Sequence, residues 1–345
     1  VIPMKELLQK LCTLDGVAGY EDEVRDFIEE TARPFADEIF TDPVGSLIVF
    51  KKGERSRRRP MMVCAHMDEV GFLVRDITED GMLKLTPVGG VDPRVLIGRR
   101  MRVGAKKTPG VISLKAIHLT TPEERKVSPD LSSLYVDMGC TSQKEAEALA
   151  RRGDPVMFDS AFLPFGVDCV KAKALDDRVG CAVMLKLLRQ PLKYDTYFVF
   201  TTGEEIGSRG ALAAVHRIQP AYLLALEGTT AGDMPGIPSH RQSCCQRQGA
   251  VVSLVDRGTV YDRTFRERVL ARADREGVTW QYRRSANGST DSSRAVEAGP
   301  GCIAFGLSAP IRYIHSACSV GYLPDLEEVL RMAAIVIEEA GEADV

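Results

Sequence analysis

Met61-Met62-Val63-Cys64-Ala65-His66-Met67-Asp68 is the stretch on which the fold turns. Its apolar residues run without a break up to a histidine, the pattern of a strand covered on both faces. A carboxylate follows two residues later. Open sheets place ligands beyond the carboxyl ends of their strands, so His66 is a candidate metal ligand delivered to a sheet rim. A ligating imidazole usually has its other ring nitrogen held by a neighbouring group, often a carboxylate, and Asp68 can lie on the same side to do this. The alternative is a strand-end histidine beside an unrelated acidic turn, and this motif alone does not separate the two.

Working outward, residues 3–12 and 21–32 carry apolar positions at helical spacing, and 38–40 and 46–50 read as strands joined by the turn Asp42-Pro43-Val44-Gly45. Downstream the texture changes. Residues 69–165 hold short alternating strands, expected at 71–76, 82–87, 100–103, 110–116, 134–137 and 155–158, interrupted by one short helix at 142–150. Beyond them come helices at 176–188, 209–217 and 326–340 and strands at 197–201, 222–226, 251–255, 279–282 and 302–306. The fold class expected is therefore α/β: one domain built from residues 1–68 and 166–345, with a β-rich domain, 69–165, inserted into it.

A chain of 345 residues, 44% hydrophobic and 27% charged, has ample material for a packed core. Its net charge is −3 and its basic residues are dispersed, which argues against a nucleic-acid surface. The densest basic run, Arg55 to Arg59, follows Lys51-Lys52-Gly53 and reads as a solvated hairpin turn. No apolar run has membrane-spanning length, and the first residues lack the pattern of a secretory leader. Nine cysteines, an odd number with no C-x-x-C pair, point to a reducing cytoplasm rather than to a disulfide scaffold. Cys64, Cys181 and Cys302 lie in apolar runs, as small core residues do.

Four later segments carry chemistry of the same kind. In Leu175-Asp176-Asp177-Arg178-Val179-Gly180, two acids precede an apolar helix. Acids at a helix start are also ordinary caps, a role that suits Asp177. Asp176 is the better metal candidate, since one carboxylate can bridge two ions. In Gly203-Glu204-Glu205-Ile206-Gly207, adjacent glutamates follow an apolar strand. In extended backbone they point opposite ways, so one can bind metal while the other serves as a base; a solvated loop is the plainer alternative. Leu226-Glu227-Gly228 and Ile314-His315-Ser316 each end a strand-like run in a ligand-type residue. His118, His216 and His240 lack this context and read as structural or surface residues. A set of nitrogen and oxygen donors without thiolate suits zinc, cobalt or manganese in a hydrolytic site.

Together, His66-Met67-Asp68-Glu69-Val70-Gly71, Leu175-Asp176-Asp177-Arg178-Val179-Gly180, Gly203-Glu204-Glu205-Ile206-Gly207-Ser208-Arg209-Gly210-Ala211 and Arg312-Tyr313-Ile314-His315-Ser316 resemble the dinuclear-metal aminopeptidases of the glutamyl and deblocking type, known for tetrahedral (TET) particles. The resemblance runs through nearly the whole chain, including Lys115-Ala116-Ile117-His118 and Gly153-Asp154-Pro155 in the β-rich block. It implies a zinc-exopeptidase-like α/β/α sandwich with a mixed sheet, and two divalent ions per subunit, zinc or cobalt, with manganese as a further option. Asp176 would bridge the ions, His66 and Glu227 completing one site and Glu205 and His315 the other. Glu204 would be the general base, and Asp68 would orient His66. It also implies peptide substrates, no membrane partner, a barrel-like insert that serves for dimerisation, and homo-oligomerisation of dimers into a tetrahedral dodecamer.

One position departs from the pattern. Many relatives have Asp where this chain has Glu227. Glu is longer by one C–C bond, about 1.5 Å, and metal–ligand distances tolerate only about 0.2 Å. The expectation is a backbone set further back or a different mode of binding. Three rival readings share the same residues: an N-acyl deacylase, an endoglucanase-like glycoside hydrolase using Glu204 and Glu205, and a non-catalytic metal-binding scaffold. Adjacent residues are poorly placed to flank a sugar from opposite sides, which weakens the second. Arg94, Arg257 or Arg312 would suit an acidic substrate side chain, although a surface or structural role is the simpler reading of each.

Overall fold

The computed structural model describes residues 2–342. All six residues of the Met61–His66 strand are buried. Successive side chains of a strand point to opposite faces, and here each face meets its own core. Met61, Val63 and Ala65 join a large cluster with Phe198, Phe200 and Leu224. Met62 and Cys64 join a second cluster with Val199, Leu223 and Ala225. Helices Met4–Thr13, Leu175–Leu187 and Leu323–Glu342 cover the first face. Helices Arg209–Ile218 and Asp291–Ala295 cover the other. Fully burying a side chain such as Phe198 stabilises by roughly 1.5–3 kcal/mol, so these alternating contacts hold the three layers together. Among the described residues, no helix is long and apolar enough to cross a membrane.

The sheet has eleven strands. From one edge it runs Glu38–Thr41, Leu47–Lys51, Thr196–Thr201, Met61–His66, Tyr222–Thr230, Ile303–Arg312, Ser319–Tyr322, Cys169–Ala172 and Leu163–Phe165; Ala250–Val252 and Trp280–Tyr282 branch from Ile303–Arg312. The central four are parallel, with His66 opposite Thr201 and Met61 opposite both Thr196 and Tyr222. The flanking strands are antiparallel, so the sheet is mixed. Because the central strands share a direction, His66, the segment after Thr201 and the second half of Tyr222–Thr230 emerge along one edge.

A second body is a closed six-stranded barrel in the order Gly71–Ile77, Leu83–Val88, Tyr135–Asp137, Thr108–Ser113, Arg100–Val103, Pro155–Phe158. Its interior holds Phe72, Val74, Leu85, Met101, Val136 and Phe158. Phe72 and Phe158 meet edge to face with ring centroids 6.3 Å apart, a favoured aromatic arrangement. One short helix, Gln143–Leu149, is capped by the Ser142 side chain.

A buried ion network fastens the chain where it leaves the sheet for the barrel. Lys173 and Arg178 are fully buried. Lys173 Nζ lies 2.5 Å from Glu69 Oε1 and 3.0 Å from Asp15 Oδ1. Arg178 donates through Nε to the Met67 carbonyl at 3.0 Å, and its Nη2 lies 3.3 Å from Glu69. Arg102, on a barrel strand, reaches the same Asp15 at 2.6 Å. Buried charges are tolerated when the remaining donors find partners, and here the Leu11 and Leu14 carbonyls supply them. The segment that follows His66 is thereby held rigid.

Several elements differ from the sequence reading. Residues 52–60 do not form a hairpin, because Thr196–Thr201 lies between the two strands they connect. The short strands Leu163–Phe165, Cys169–Ala172 and Ser319–Tyr322 carried no usable alternation. Helix Arg263–Arg275 buries only Phe265, Val269, Leu270 and Ala273 in a strongly charged segment. The strand expected at 302–306 continues to Arg312.

Candidate metal centre and active site

Asp176 sits at the first turn of Leu175–Leu187 with non-helical backbone angles. Asp177 turns away and accepts the Gly180 amide at 2.9 Å, the capping role. Asp176 instead reaches over the sheet edge, and its two oxygens face two different imidazoles. Oδ1 lies 3.4 Å from His66 Nε2, and Oδ2 lies 3.3 Å from His315 Nε2. Glu227 Oε2 is 3.6 Å from the same His66 nitrogen, and Glu205 Oε1 is 3.4 Å from the same His315 nitrogen. The result is two three-residue clusters sharing Asp176: His66, Asp176, Glu227 and Asp176, Glu205, His315.

Both imidazoles are oriented from behind. His66 Nδ1 lies 3.0 Å from the Asp68 main-chain oxygen, and His315 Nδ1 lies 2.8 Å from the Gly90 oxygen. A carbonyl only accepts, so each Nδ1 carries the proton. In the neutral ring each Nε2 lone pair then faces carboxylate oxygens, acceptor against acceptor. Glu205 Oε1 is buried and, among the described residues, accepts no hydrogen bond. That geometry is relieved by protons on the rings or by cations between the donors. Histidine nitrogen and carboxylate oxygen are the donor set of divalent zinc, cobalt or manganese, so the residues fit such ions.

The electrostatics agree. Burial pushes the carboxyls of Glu204 and Glu227 well above their ordinary range, Glu205 to about 7. Burial disfavours charge on the imidazoles, but the Asp176 carboxylate outweighs it, holding His66 well above its usual value and His315 at about 9. For Asp176 itself, burial is overcome by hydrogen bonds from His315 and His66, which hold its carboxyl low. Raised groups bind protons more tightly folded than unfolded, where His and Glu titrate near ~6.5 and ~4.3. Their stabilisation of the metal-free fold is therefore complete below those values and is lost as pH rises through about 7 for Glu205 and about 9 for His315. Chelated protein is expected to melt at lower temperature at pH 9 than at pH 6, and added metal to raise the melting temperature more at pH 9. A metal increment that does not change across this range would contradict the cluster electrostatics.

The two glutamates do not lie in extended backbone, as expected from sequence, but in a turn closed by Gly207 and Ser208 amides on the Glu204 carbonyl. The turn lets both Glu204 and Glu205 amides donate to Asp68, at 3.1 Å each. The Asp68 carboxylate thus holds the glutamate turn, while its main-chain oxygen is the nearer partner of His66; its carboxylate is 3.5 Å from Nδ1. Glu204 belongs to neither cluster. Its carboxylate accepts a hydrogen bond from Ser208 Oγ at 3.3 Å.

His315 and Glu227 also sit differently from the strand-end reading. His315 lies three residues past its strand, and it and Tyr313 adopt left-handed backbone, φ 58° and 57°. That bend folds the ring back toward Gly90, between two barrel elements. Glu227 lies inside Tyr222–Thr230, opposite Ser308. Its longer side chain is braced by the Asp291 amide, 3.2 Å from Oε1.

Asp291 escaped sequence reasoning. It is buried, bonded to Thr201 Oγ1 at 2.6 Å, and pushed up to about 6 by burial. Its local sequence, Ser289-Thr290-Asp291-Ser292, shows only a helix start. Arg312 pairs with Asp233 through two hydrogen bonds, 2.9 and 2.6 Å, and Arg94 pairs with Asp92. Both are occupied. Arg257 is exposed and lies outside the cavity described next. Beside the clusters opens a cavity of about 460 Å³, lined by Asp176, Glu204, Glu205, Glu227 and His315 on one side.

Two carboxylate–histidine clusters at the carboxyl edge of an α/β/α sheet, opening on one cavity, define a metal-dependent hydrolase. The chain belongs to the M42 glutamyl aminopeptidase family, whose pattern matches residues 45–332. It is 30% identical to the lysyl aminopeptidase of Pyrococcus furiosus, over 98% of each chain. Its fold is similar to that of the TET aminopeptidase from the marine sediment archaeon Thaumarchaeota archaeon SCGC AB-539-E09, with TM-score 0.94, 31% identity and 98% of each chain covered. It is also similar to the Pyrococcus horikoshii TET1 peptidase, which can assemble into a tetrahedron or a large octahedral shell: TM-score 0.85, 29% identity, 97% of this chain and 99% of that one. The chain is thus a metal-dependent aminopeptidase.

Proposed function

We propose that this chain removes N-terminal residues from peptides, holding one divalent ion at His66, Asp176 and Glu227 and a second at Asp176, Glu205 and His315, with Glu204 as general base. The observation that carries this reading is the division of labour among the carboxylates. Asp176 offers one oxygen to each cluster, and Glu204 is the neighbouring carboxylate left outside both while lining the same cavity. Zinc or cobalt suits the donors best.

When bound, such ions supply Lewis acidity and lower the pKa of water toward about 7. Glu204 takes the proton of the attacking water and returns it to the leaving amine; a positioned base of this kind contributes roughly 10²–10⁴-fold. Burial, which raises its pKa, fits it to hold that proton between the two steps. Asp68 fixes the Glu204–Glu205 turn, and Asp291 fixes Glu227. The free α-amine of the substrate would sit near one ion and its neighbouring carboxylates, which would enforce exopeptidase behaviour.

We assign residues 69–165 as an inserted domain through which copies associate, as dimers and then as a tetrahedral dodecamer. The similarity to a TET assembly supports this, as do Ile117, Leu119 and Val127 on the barrel segment, 73%, 62% and 71% exposed. Nine free cysteines suit a reducing compartment such as the cytoplasm.

The activity is tested with a panel of aminoacyl-anilides and N-acetylated counterparts, before chelation, after it, and after restoring zinc, cobalt or manganese. Cleavage of free-amine substrates only, lost on chelation and recovered with metal, is the expected result. Preferential cleavage of acetylated substrates would make the protein a deacylase, and activity on polysaccharide that survives chelation would make it a glycosidase.

A further inference from the structure

In Gly203-Glu204-Glu205-Ile206-Gly207-Ser208-Arg209, the serine stands at the start of helix Arg209–Ile218. A serine hydroxyl in that place ordinarily caps the first amides of the helix. Ser208 makes no such cap. It is buried, and its backbone is left-handed, φ 55° and ψ 44°, a conformation that disfavours a residue with a Cβ. Strained backbone of this kind gathers at functional sites. Here the hydroxyl lies not on the helix but on Glu204, whose Oε1 accepts it at 3.3 Å. Among the described residues, no other donor reaches the Glu204 carboxylate.

The surroundings set the direction of that hydrogen bond. A hydroxyl has one proton to give, and a carbonyl oxygen has two lone pairs. The other acceptor near Ser208 Oγ is the Thr290 carbonyl, at 3.4 Å. It already accepts from the Ser293 amide at 2.9 Å and from Ser293 Oγ at 2.8 Å. The Ser208 proton is therefore left for Glu204. The amide of the same Thr290–Asp291 peptide group donates to Glu227 Oε1 at 3.2 Å. One peptide group thus touches Ser208 with its oxygen and holds a cluster carboxylate with its nitrogen. The hydroxyl is placed relative to the cluster as well as to Glu204. Thr290 is braced in turn: its Oγ1 lies 3.2 Å from the Tyr261 hydroxyl, which donates to Asp256 at 2.7 Å.

We propose that Ser208 is a positioning residue for the general base: its hydroxyl occupies Oε1 of Glu204 and leaves Oε2 as the oxygen that takes the proton of the attacking water. The inference rests on the reading of Glu204 as that base. Glu204 lines the cavity beside the clusters, and an unheld glutamate there would turn about its side-chain bonds and exchange its two oxygens. The proton enters at Oε2 and leaves from Oε2 to the amine nitrogen, while Ser208 keeps its own proton throughout. Misplacing a reacting group by an ångström is enough to lose about 10²-fold in rate.

The test measures kcat and KM on aminoacyl-anilides for metal-loaded wild type, Ser208→Ala, Ser208→Gly, Glu204→Gln and the double variant Ser208→Ala with Glu204→Gln. Melting temperature and metal content are recorded for each. Ser208→Ala is expected to lower kcat by roughly 10–10²-fold, the scale of a misplaced reacting group, with KM and metal content at wild-type values. Ser208→Gly relieves the left-handed backbone, because glycine adopts it freely. It should be no less stable than Ser208→Ala and as slow. In the Glu204→Gln background, Ser208→Ala should cause no further loss, since a residue acting only through Glu204 has nothing left to position. Wild-type kcat in Ser208→Ala or Ser208→Gly would overturn the assignment, as would the same fold-loss from Ser208→Ala in both backgrounds. Glu204→Gln protein that turns over like wild type, or a wild type that cleaves no anilide, would instead remove the base reading and this assignment with it. A slow Glu204→Gln beside an unimpaired Ser208→Ala would remove the Ser208 assignment alone.

Discussion

Glu204→Gln is expected to lower kcat by roughly 10²–10⁴-fold, the usual contribution of a positioned general base, with little change in metal content. Glutamine keeps the size of glutamate and can still accept from Ser208, which lies 3.3 Å from Glu204 Oε1. The amides of residues 204 and 205 would still reach Asp68, because those contacts are main-chain. Only the capacity to take a proton is lost. A fall in kcat without a rise in KM would mark an interaction made in the transition state. Metal analysis of the same sample separates this from damage to the clusters. Turnover within tenfold of wild type would remove Glu204 from the role of base.

Asp176→Ala is expected to have the larger structural consequence, because one side chain serves both clusters. Each cluster would keep one histidine and one glutamate, and both sites would weaken together. With the Lewis acidity lost, worth several kcal/mol, kcat/KM should fall by at least about 10³-fold, since each 1.36 kcal/mol is tenfold. His66→Ala and His315→Ala should instead each weaken one site. Elemental analysis of the three variants after equal dialysis gives the comparison. Asp176→Ala protein that retained the wild-type metal complement would contradict the shared-ligand arrangement.

Much of this was legible in sequence because it depends on local pattern. The unbroken apolar run before His66 marks a buried strand, and a histidine after such a run marks a sheet rim. The period-2 texture from residue 69 onward announced the β-rich block, which folds as a closed barrel. What was not legible depends on which loops the topology brings together. Asp291 follows a loop whose sequence is polar and without periodic pattern, and the pairing of Trp280–Tyr282 with Ala250–Val252 accompanies the placement of residues 287–290 in the wall of the cavity beside the clusters. The burial of Lys173, Arg178, Glu69 and Asp15 carried no sequence signal, since burial of a charge is decided by its partners and not by its neighbours in sequence. The extended backbone expected at Glu204 and Glu205 failed for a similar reason. A carboxylate far away in the chain, Asp68, draws both amides to one side and so selects a turn.

Glu227 is held at both carboxylate oxygens: the Asp291 amide supplies a fixed partner for one while the other faces His66. Arg312, one of the arginines that sequence offered for an acidic side chain, is spent on Asp233.

The central claim is that two metal sites share Asp176, and anomalous scattering from crystals grown with zinc or cobalt addresses it directly. The account expects two peaks per chain, one between His66 and Glu227 and one between Glu205 and His315, with Asp176 contacting both. A single peak, or metal bound away from Asp176, would contradict it.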